Sequence, residues 1–113
     1  MISRQLIRMD LNLLVVLQVL LEERNVTRAA ERLSVSQPAL SKTLQKLRES
    51  FDDELFTRTA HGLIPTPKAE ALGAGLPTAL LSLDKLLEDE EFDPATYEGA
   101  FRIAISPLFA EVL

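Results

Sequence analysis

Gln37, Ser41, Lys42, Gln45 and Arg48 recur at helical spacing, so a single helix would present them along one face. Their chemistry is that of base and phosphate recognition. Gln37 can make paired hydrogen bonds to an adenine edge, Lys42 can reach guanine or phosphate, and Pro38 or Ala39 can touch a thymine methyl. Ser36 caps the same helix, whose N-terminus can hold a phosphate through backbone N–H groups and the macrodipole. Thr27 and Arg28 open the preceding helix. Arg58 and His61 belong to a later hairpin, from which they can enter a minor groove or grip its phosphates. The same residues also fit a small helical adaptor whose Gln37, Ser41 and Lys42 merely face water.

Catalytic chemistry finds no such constellation. His61 is the only histidine and there is no cysteine, which excludes a disulfide framework and a thiolate metal site. No nucleophile–base pair and no phosphate-cradling glycine loop is visible, so the expectation is a protein that is not an enzyme and needs no cofactor in these residues. The acidic run 88–91 reads as a solvated linker rather than a cation site.

Charge is partitioned along the 113 residues. The net charge is −5, yet residues 1–68 carry ten Lys/Arg against eight Asp/Glu, while residues 69–113 carry two against nine. Between Arg24 and Arg48 six basic residues face Glu31 alone, a footprint suited to phosphate on an otherwise acidic chain. An apolar fraction of 47% is ample for a packed core. The apolar stretch 9–21 is too short and too polar to span a bilayer, and no cleavage site follows it. A cytoplasmic protein with no membrane partner is expected.

The elements that must position these residues follow from periodicity. Residues 10–24 read as a helix apolar nearly all round, which must be buried on two sides and so requires a second partner. Asn25 or Thr27 caps a short helix with Ala29, Ala30 and Leu33 inward, and Ser34-Val35-Ser36 is the turn after it. Ser36 caps the third helix, with Pro38 in its first turn and a stripe of Leu40, Leu44, Leu47 and Phe51. Residues 55–58 and 63–66 flank Thr59-Ala60-His61-Gly62 as a two-stranded wing, with Pro65 at a strand end. Pro67 opens a long helix to about residue 90. Its narrow seam of Leu72, Leu76, Leu80, Leu83 and Leu87 is of the coiled-coil kind and suits dimerisation. Pro77 predicts a kink or break, softened because residue 73, whose carbonyl it crowds, is Gly. Residues 101–105 alternate like a strand with no partner strand after them, so a second domain is expected to begin there.

The run Asn25-Val26-Thr27-Arg28-Ala29-Ala30-Glu31-Arg32-Leu33-Ser34-Val35-Ser36-Gln37-Pro38-Ala39-Leu40-Ser41 resembles the signature of LysR-type transcriptional regulators. The likeness continues through Leu47-Arg48-Glu49, Leu55-Phe56-Thr57-Arg58-Thr59, Gly62-Leu63 and Pro65-Thr66-Pro67. Asp53-Glu54-Leu55-Phe56 and Phe92-Asp93-Pro94-Ala95 look closest to its NodD/LeuO/NahR-like branch. The resemblance implies a mainly α fold. A winged helix-turn-helix over residues 1–66 would be followed by a linker helix over 67–91, with the start of an α/β effector domain over 92–113. It implies binding to double-stranded DNA as a homodimer paired through the linker helices. Base and phosphate contacts would come from Gln37, Pro38, Ser41 and Lys42, and a wing contact from Arg58. Full-length members bind a small-molecule co-inducer in the effector domain.

Two departures carry expectations of their own. Asp52 stands where the family usually has a helix-ending glycine; Asp tolerates a left-handed cap less well, so a differently shaped corner is expected. His61 replaces a frequent wing-tip arginine, and a neutral imidazole grips a groove more weakly than a guanidinium, gaining strength at lower pH.

Overall fold

The computed structural model describes residues 2–88. The linker helix ends at Leu87, short of the expected residue 90; the expectations of a lone strand and a second domain fall on residues 89–113 and lie outside the described residues. Five helices and one hairpin run in the order α1 Arg4–Arg8, α2 Asn12–Glu23, α3 Val26–Leu33, α4 Gln37–Phe51, β1 Phe56–Thr59, β2 Gly62–Pro65 and α5 Pro67–Leu87. The mainly α winged helix-turn-helix with a long C-terminal helix is therefore present.

Each helix starts where a side chain can satisfy an orphan N–H. Ser3, Asn25, Ser36 and Thr66 cap α1, α3, α4 and α5, accepting from Leu6, Arg28, Ala39 and Ala69. Asn25 rather than Thr27 is thus the cap of α3. Asp10 serves the start of α2, its Oδ1 accepting from the Asn12 N–H at 2.9 Å. No apolar period announces α1, which has only five residues and buries none of them.

The core is built from Val16, Leu17, Val19 and Leu20 of α2, Ala29 and Ala30 of α3, and Leu40, Leu44, Leu47 and Phe51 of α4. Leu55, Phe56, Leu63, Ala69 and Leu76 close it from the wing and α5. Helix α2 is indeed covered on more than one side, but by α3, α4 and α5 of the same chain. The second partner that its apolar surface demands is intramolecular. Thr43 is the buried polar residue among them, and its hydroxyl donates to the Ala39 carbonyl at 3.1 Å.

One expectation about backbone is corrected, and of the kink or break expected at Pro77 the break is excluded. Asp52 takes the left-handed conformation at the end of α4 (φ 51°, ψ 48°), and its N–H bonds the Arg48 and Glu49 carbonyls. A glycine is not needed there, because a short polar side chain tolerates this region at modest cost. Pro77 does not break α5, which is one helix from Pro67 to Leu87. Gly73 packs against Leu21 one turn earlier, and Leu76 and Leu80 lie on the core on either side of Pro77. Packing on α2 holds the helix where the proline removes a donor.

The dimer seam is also redistributed. Leu76 is only 7% exposed, and Leu72 and Leu80 are partly buried, all three against the core of their own chain. Leu83 and Leu87 remain open at 40% and 41%, joined by exposed Leu81 and Leu86. An antiparallel ribbon pairs Phe56 with Pro65 and Thr59 with Gly62, leaving Ala60 and His61 as the turn.

Candidate nucleic-acid interface

The turn between α3 and α4 is closed by local bonds. Ser34 adopts φ 58° after α3, its N–H bonds Ala30 and Glu31 carbonyls, and Val35 N–H bonds the Ala30 carbonyl at 3.0 Å. This sharp reversal packs α4 against α3 across the small buried Ala29 and Ala30. It leaves Gln37, Pro38, Lys42 and Gln45 exposed on the outer face of α4, with Thr27 and Arg28 exposed at the start of α3.

Ala39 departs from this set. At 4% exposure it sits on the inner face, so of the two only Pro38 presents apolar surface outward. Ser36 has its hydroxyl engaged by the Ala39 N–H, and Pro38 has no N–H, which leaves the Gln37 amide as the donor at the first turn. Neither α3 nor α4 carries an acidic residue in its first turn, so the positive dipole end of each is uncompensated by the chain.

The basic segment divides by what each side chain already holds. Arg32 is paired with Glu22 and with Glu23 at 3.1 Å on α2. A hydrogen bond from Gln18, and then that from Arg32, hold the Glu22 carboxyl below its usual range. Arg48 turns away from the outer face. Its guanidinium donates to the Glu54 carbonyl at 2.8 Å and the Phe56 carbonyl at 3.0 Å, with the Glu54 carboxylate 3.9 Å away. It ties the end of α4 to the start of β1, a structural duty that its place in the polar pattern does not disclose. Arg28, Lys42 and Lys46 have no carboxylate within 4.0 Å among the described residues. Lys46, one helical turn after Lys42, is a cation that pattern reading left out of the contact set; the four-residue spacing was the available signal.

The wing is fixed at both ends. Leu63 N–H donates to the Arg24 carbonyl at 2.8 Å, pinning β2 to the end of α2. Gly62 at φ 120° passes so close to that carbonyl that any Cβ would collide with it. At the other side Arg58 Nη2 donates to Ser41 Oγ at 2.9 Å, joining β1 to α4. Thr59 braces the turn, accepting from the His61 N–H and donating to the Gly62 carbonyl, and leaves His61 exposed at the tip. An outer helix face rich in donors thus stands beside a hairpin tied to α2 and α4, with a cation and an imidazole.

Asp53 links this unit to α5. Its Oδ2 accepts from the Leu55 N–H at 2.9 Å and the Thr66 hydroxyl at 2.7 Å, while Thr66 caps α5. The Thr66 bond first, then the Leu55 N–H, and in smaller part Lys68, hold the Asp53 carboxyl below its ordinary value. Leu55, buried at φ 64°, is kept in this unfavourable conformation by that bond and by the Thr66 N–H donating to its carbonyl.

Among the described residues no group of three His, Cys, Asp or Glu could hold a metal ion, and no helix is long and apolar enough to cross a membrane. Residues 11–70 match the family profile of bacterial regulatory helix-turn-helix proteins, lysR family. Nodulation protein D 1 of Bradyrhizobium sp. (strain NC92) is 46% identical over 99 residues, covering 87% of this chain and 32% of that protein. Nodulation protein D 2 of Rhizobium tropici is 44% identical with the same coverage. The chain thus spans about a third of the length of these relatives. Among solved structures, a probable transcriptional regulator from Pseudomonas aeruginosa superposes with TM-score 0.72 at 44% identity, over 76% of this chain and 29% of that one. The BenM DBD in complex with catB site 1 DNA superposes with TM-score 0.66 at 28% identity, over 71% of this chain and 90% of that one.

Proposed function

The chain belongs to the lysR family of bacterial regulatory helix-turn-helix proteins, and from that premise we propose that it is a sequence-specific, double-stranded-DNA-binding transcriptional regulator acting as a dimer. The observation that carries the reading is the outer face of α4. Gln37, Pro38, Lys42 and Gln45 are exposed there at a helix N-terminus with no acid, beside a wing tied to α4 by the Arg58–Ser41 bond.

The α4 face enters the major groove, where Gln37 and Lys42 meet base edges and Pro38 meets a methyl group. The N-termini of α3 and α4, with Thr27, Arg28 and Lys46, hold the flanking phosphates. His61 at the wing tip and the guanidinium of Arg58 face the adjoining minor groove. Pairing of two chains through Leu83, Leu87 and their neighbours on α5 sets two such faces on successive grooves. The whole protein works in the cytoplasm and answers to a small-molecule co-inducer bound outside the helix-turn-helix, while the DNA-contacting residues themselves use no cofactor.

The test is fluorescence anisotropy on a labelled duplex from the region upstream of its own gene, against a scrambled duplex, across a salt series. Tight, sequence-preferring binding that falls steeply with salt is expected, because neutralised phosphates release counterions. A folded dimer with no affinity at low salt would overturn the reading in favour of a dimeric protein-interaction module.

A further inference from the structure

The free cations on the outer face of α4 do not stop at its middle. Lys42, Lys46 and Ser50 follow one another at intervals of four residues, all exposed, and so form one row along the helix. Ser50, at the far end of that row, lines a groove of about 390 Å³ together with Arg4, Gln5, Arg8 and Met9. Arg4 and Arg8 are four apart on α1 and both exposed, so the row passes through Ser50 from α4 to α1. Among the described residues none of Lys42, Lys46, Arg4 and Arg8 has a carboxylate within 4.0 Å. No acid lies between residues 2 and 9. The next acid, Asp10, is committed to the start of α2, accepting from the Asn12 backbone and side chain at 2.9 and 3.3 Å. Glu49 precedes Ser50 but stands about 100° round the helix axis from it, and it does not line the groove.

Four uncompensated cations in series suit a ligand that carries its charges in series, which a nucleic-acid strand does. Helix α1 buries none of its five residues, so core packing does not account for it. Met9, partly buried against the core, fixes the end of α1 beside α4. The helix also precedes residues 11–70, which match the family profile, and so stands outside the shared helix-turn-helix. We propose that α1 is a phosphate-binding extension of the DNA interface: Arg4 and Arg8 hold backbone phosphates of the duplex just beyond those held by Lys46, lengthening the footprint without reading sequence. The inference rests on the DNA-binding reading above and adds to it contacts from outside the helix-turn-helix and the wing.

The experiment compares the parent with Arg4→Gln/Arg8→Gln and with Arg4→Lys/Arg8→Lys, on the upstream duplex and on its scrambled counterpart, across a salt series. Because α1 buries nothing, both double variants keep the fold, which circular dichroism verifies. Loss of two phosphate contacts is expected to flatten the slope of log affinity against log salt by about 1.8. Between about 50 and 200 mM salt the parent's affinity should then fall roughly tenfold more than that of the glutamine variant. Both duplexes should lose affinity alike, with the preference between them kept, and the lysine variant should retain most of the slope. Phosphate ethylation of the upstream duplex locates the contacts: blocking positions at the edge of the parent's footprint should vanish for the glutamine variant alone. An unchanged slope and ethylation pattern overturns the α1 contacts and leaves the DNA-binding reading standing. A loss confined to the upstream duplex overturns the phosphate role, because it would mean that α1 reads sequence. A parent with no affinity for either duplex at low salt overturns the DNA-binding reading itself.

Discussion

Arg58 Nη2 donates to Ser41 Oγ at 2.9 Å, so the wing and α4 are joined by a direct side-chain bond. The two residues are seventeen apart in sequence, and each by pattern alone was a separate contact to nucleic acid. In the structure they act first on each other. Ser41 anchors the guanidinium, so the wing presents one cation already oriented. Pre-ordering of this kind lowers the entropy lost on binding.

Arg58→Ala is expected to lower affinity for a specific duplex with helical content unchanged, whereas Ser41→Ala produces a smaller loss. Because the two form one unit, the double variant should lose little beyond Arg58→Ala. Anisotropy titrations on all three proteins check this; fully additive losses would mean that the residues contact DNA independently.

Lys42→Ala is expected to cost about 1–3 kcal/mol on the specific site and markedly less on a scrambled one, as loss of a base contact does. Lys46→Ala should weaken both duplexes alike and flatten the salt dependence, as loss of a phosphate contact does. Equal losses on both duplexes for Lys42→Ala would move it to the phosphate class.

Gly62→Ala combines a backbone conformation unfavourable to side chains with a collision at the Arg24 carbonyl. A destabilisation of about 1–3 kcal/mol is expected, with the Leu63–Arg24 bond lost and the wing released. Denaturant unfolding measures the first, and hydrogen exchange at Leu63 the second. Unchanged protection there would show that the clash is relieved elsewhere.

Asp53 has a depressed pKa in the folded chain, so ionised Asp53 favours folding. Its contribution is complete above the unfolded carboxylate value of about 4 and is lost as pH falls through the lower folded value. Asp53→Asn should therefore be less stable than the parent at pH 7, and the gap should close as pH falls below about 4. Urea unfolding at several pH values follows the difference; a gap independent of pH would assign it to shape rather than charge.

Leu83→Asp is expected to dissociate the dimer while the fold persists, since Leu83, 40% exposed, lies outside the core of the described residues. Leu76→Asp buries a charge without a partner and should cost about 3–5 kcal/mol of stability. Sedimentation and thermal unfolding separate the two effects. A Leu83→Asp chain that remains a dimer would place the interface elsewhere.

The sequence by itself determined the helix-turn-helix, the wing and the outer face of α4. Those follow from local physics: a stripe at Leu40, Leu44, Leu47 and Phe51 selects the buried side, Ser36 and Pro38 start the helix, and a glycine permits the wing's tight geometry. Helix α1 escaped because five residues carry too little periodicity. Only the tertiary structure decided which members of a like-looking set remain free. Arg48 and Lys42 share one polar pattern, yet the carbonyls of Glu54 and Phe56 are brought within reach of Arg48 alone. Ala39 and Pro38 are neighbours, yet the fold buries the first and leaves the second in solvent. Leu76 and Leu83 share one stripe of α5, and where α2 ends decides which faces the core and which faces outward. Spacing specifies direction around a helix axis; the length and crossing of the neighbouring elements specify what lies in that direction.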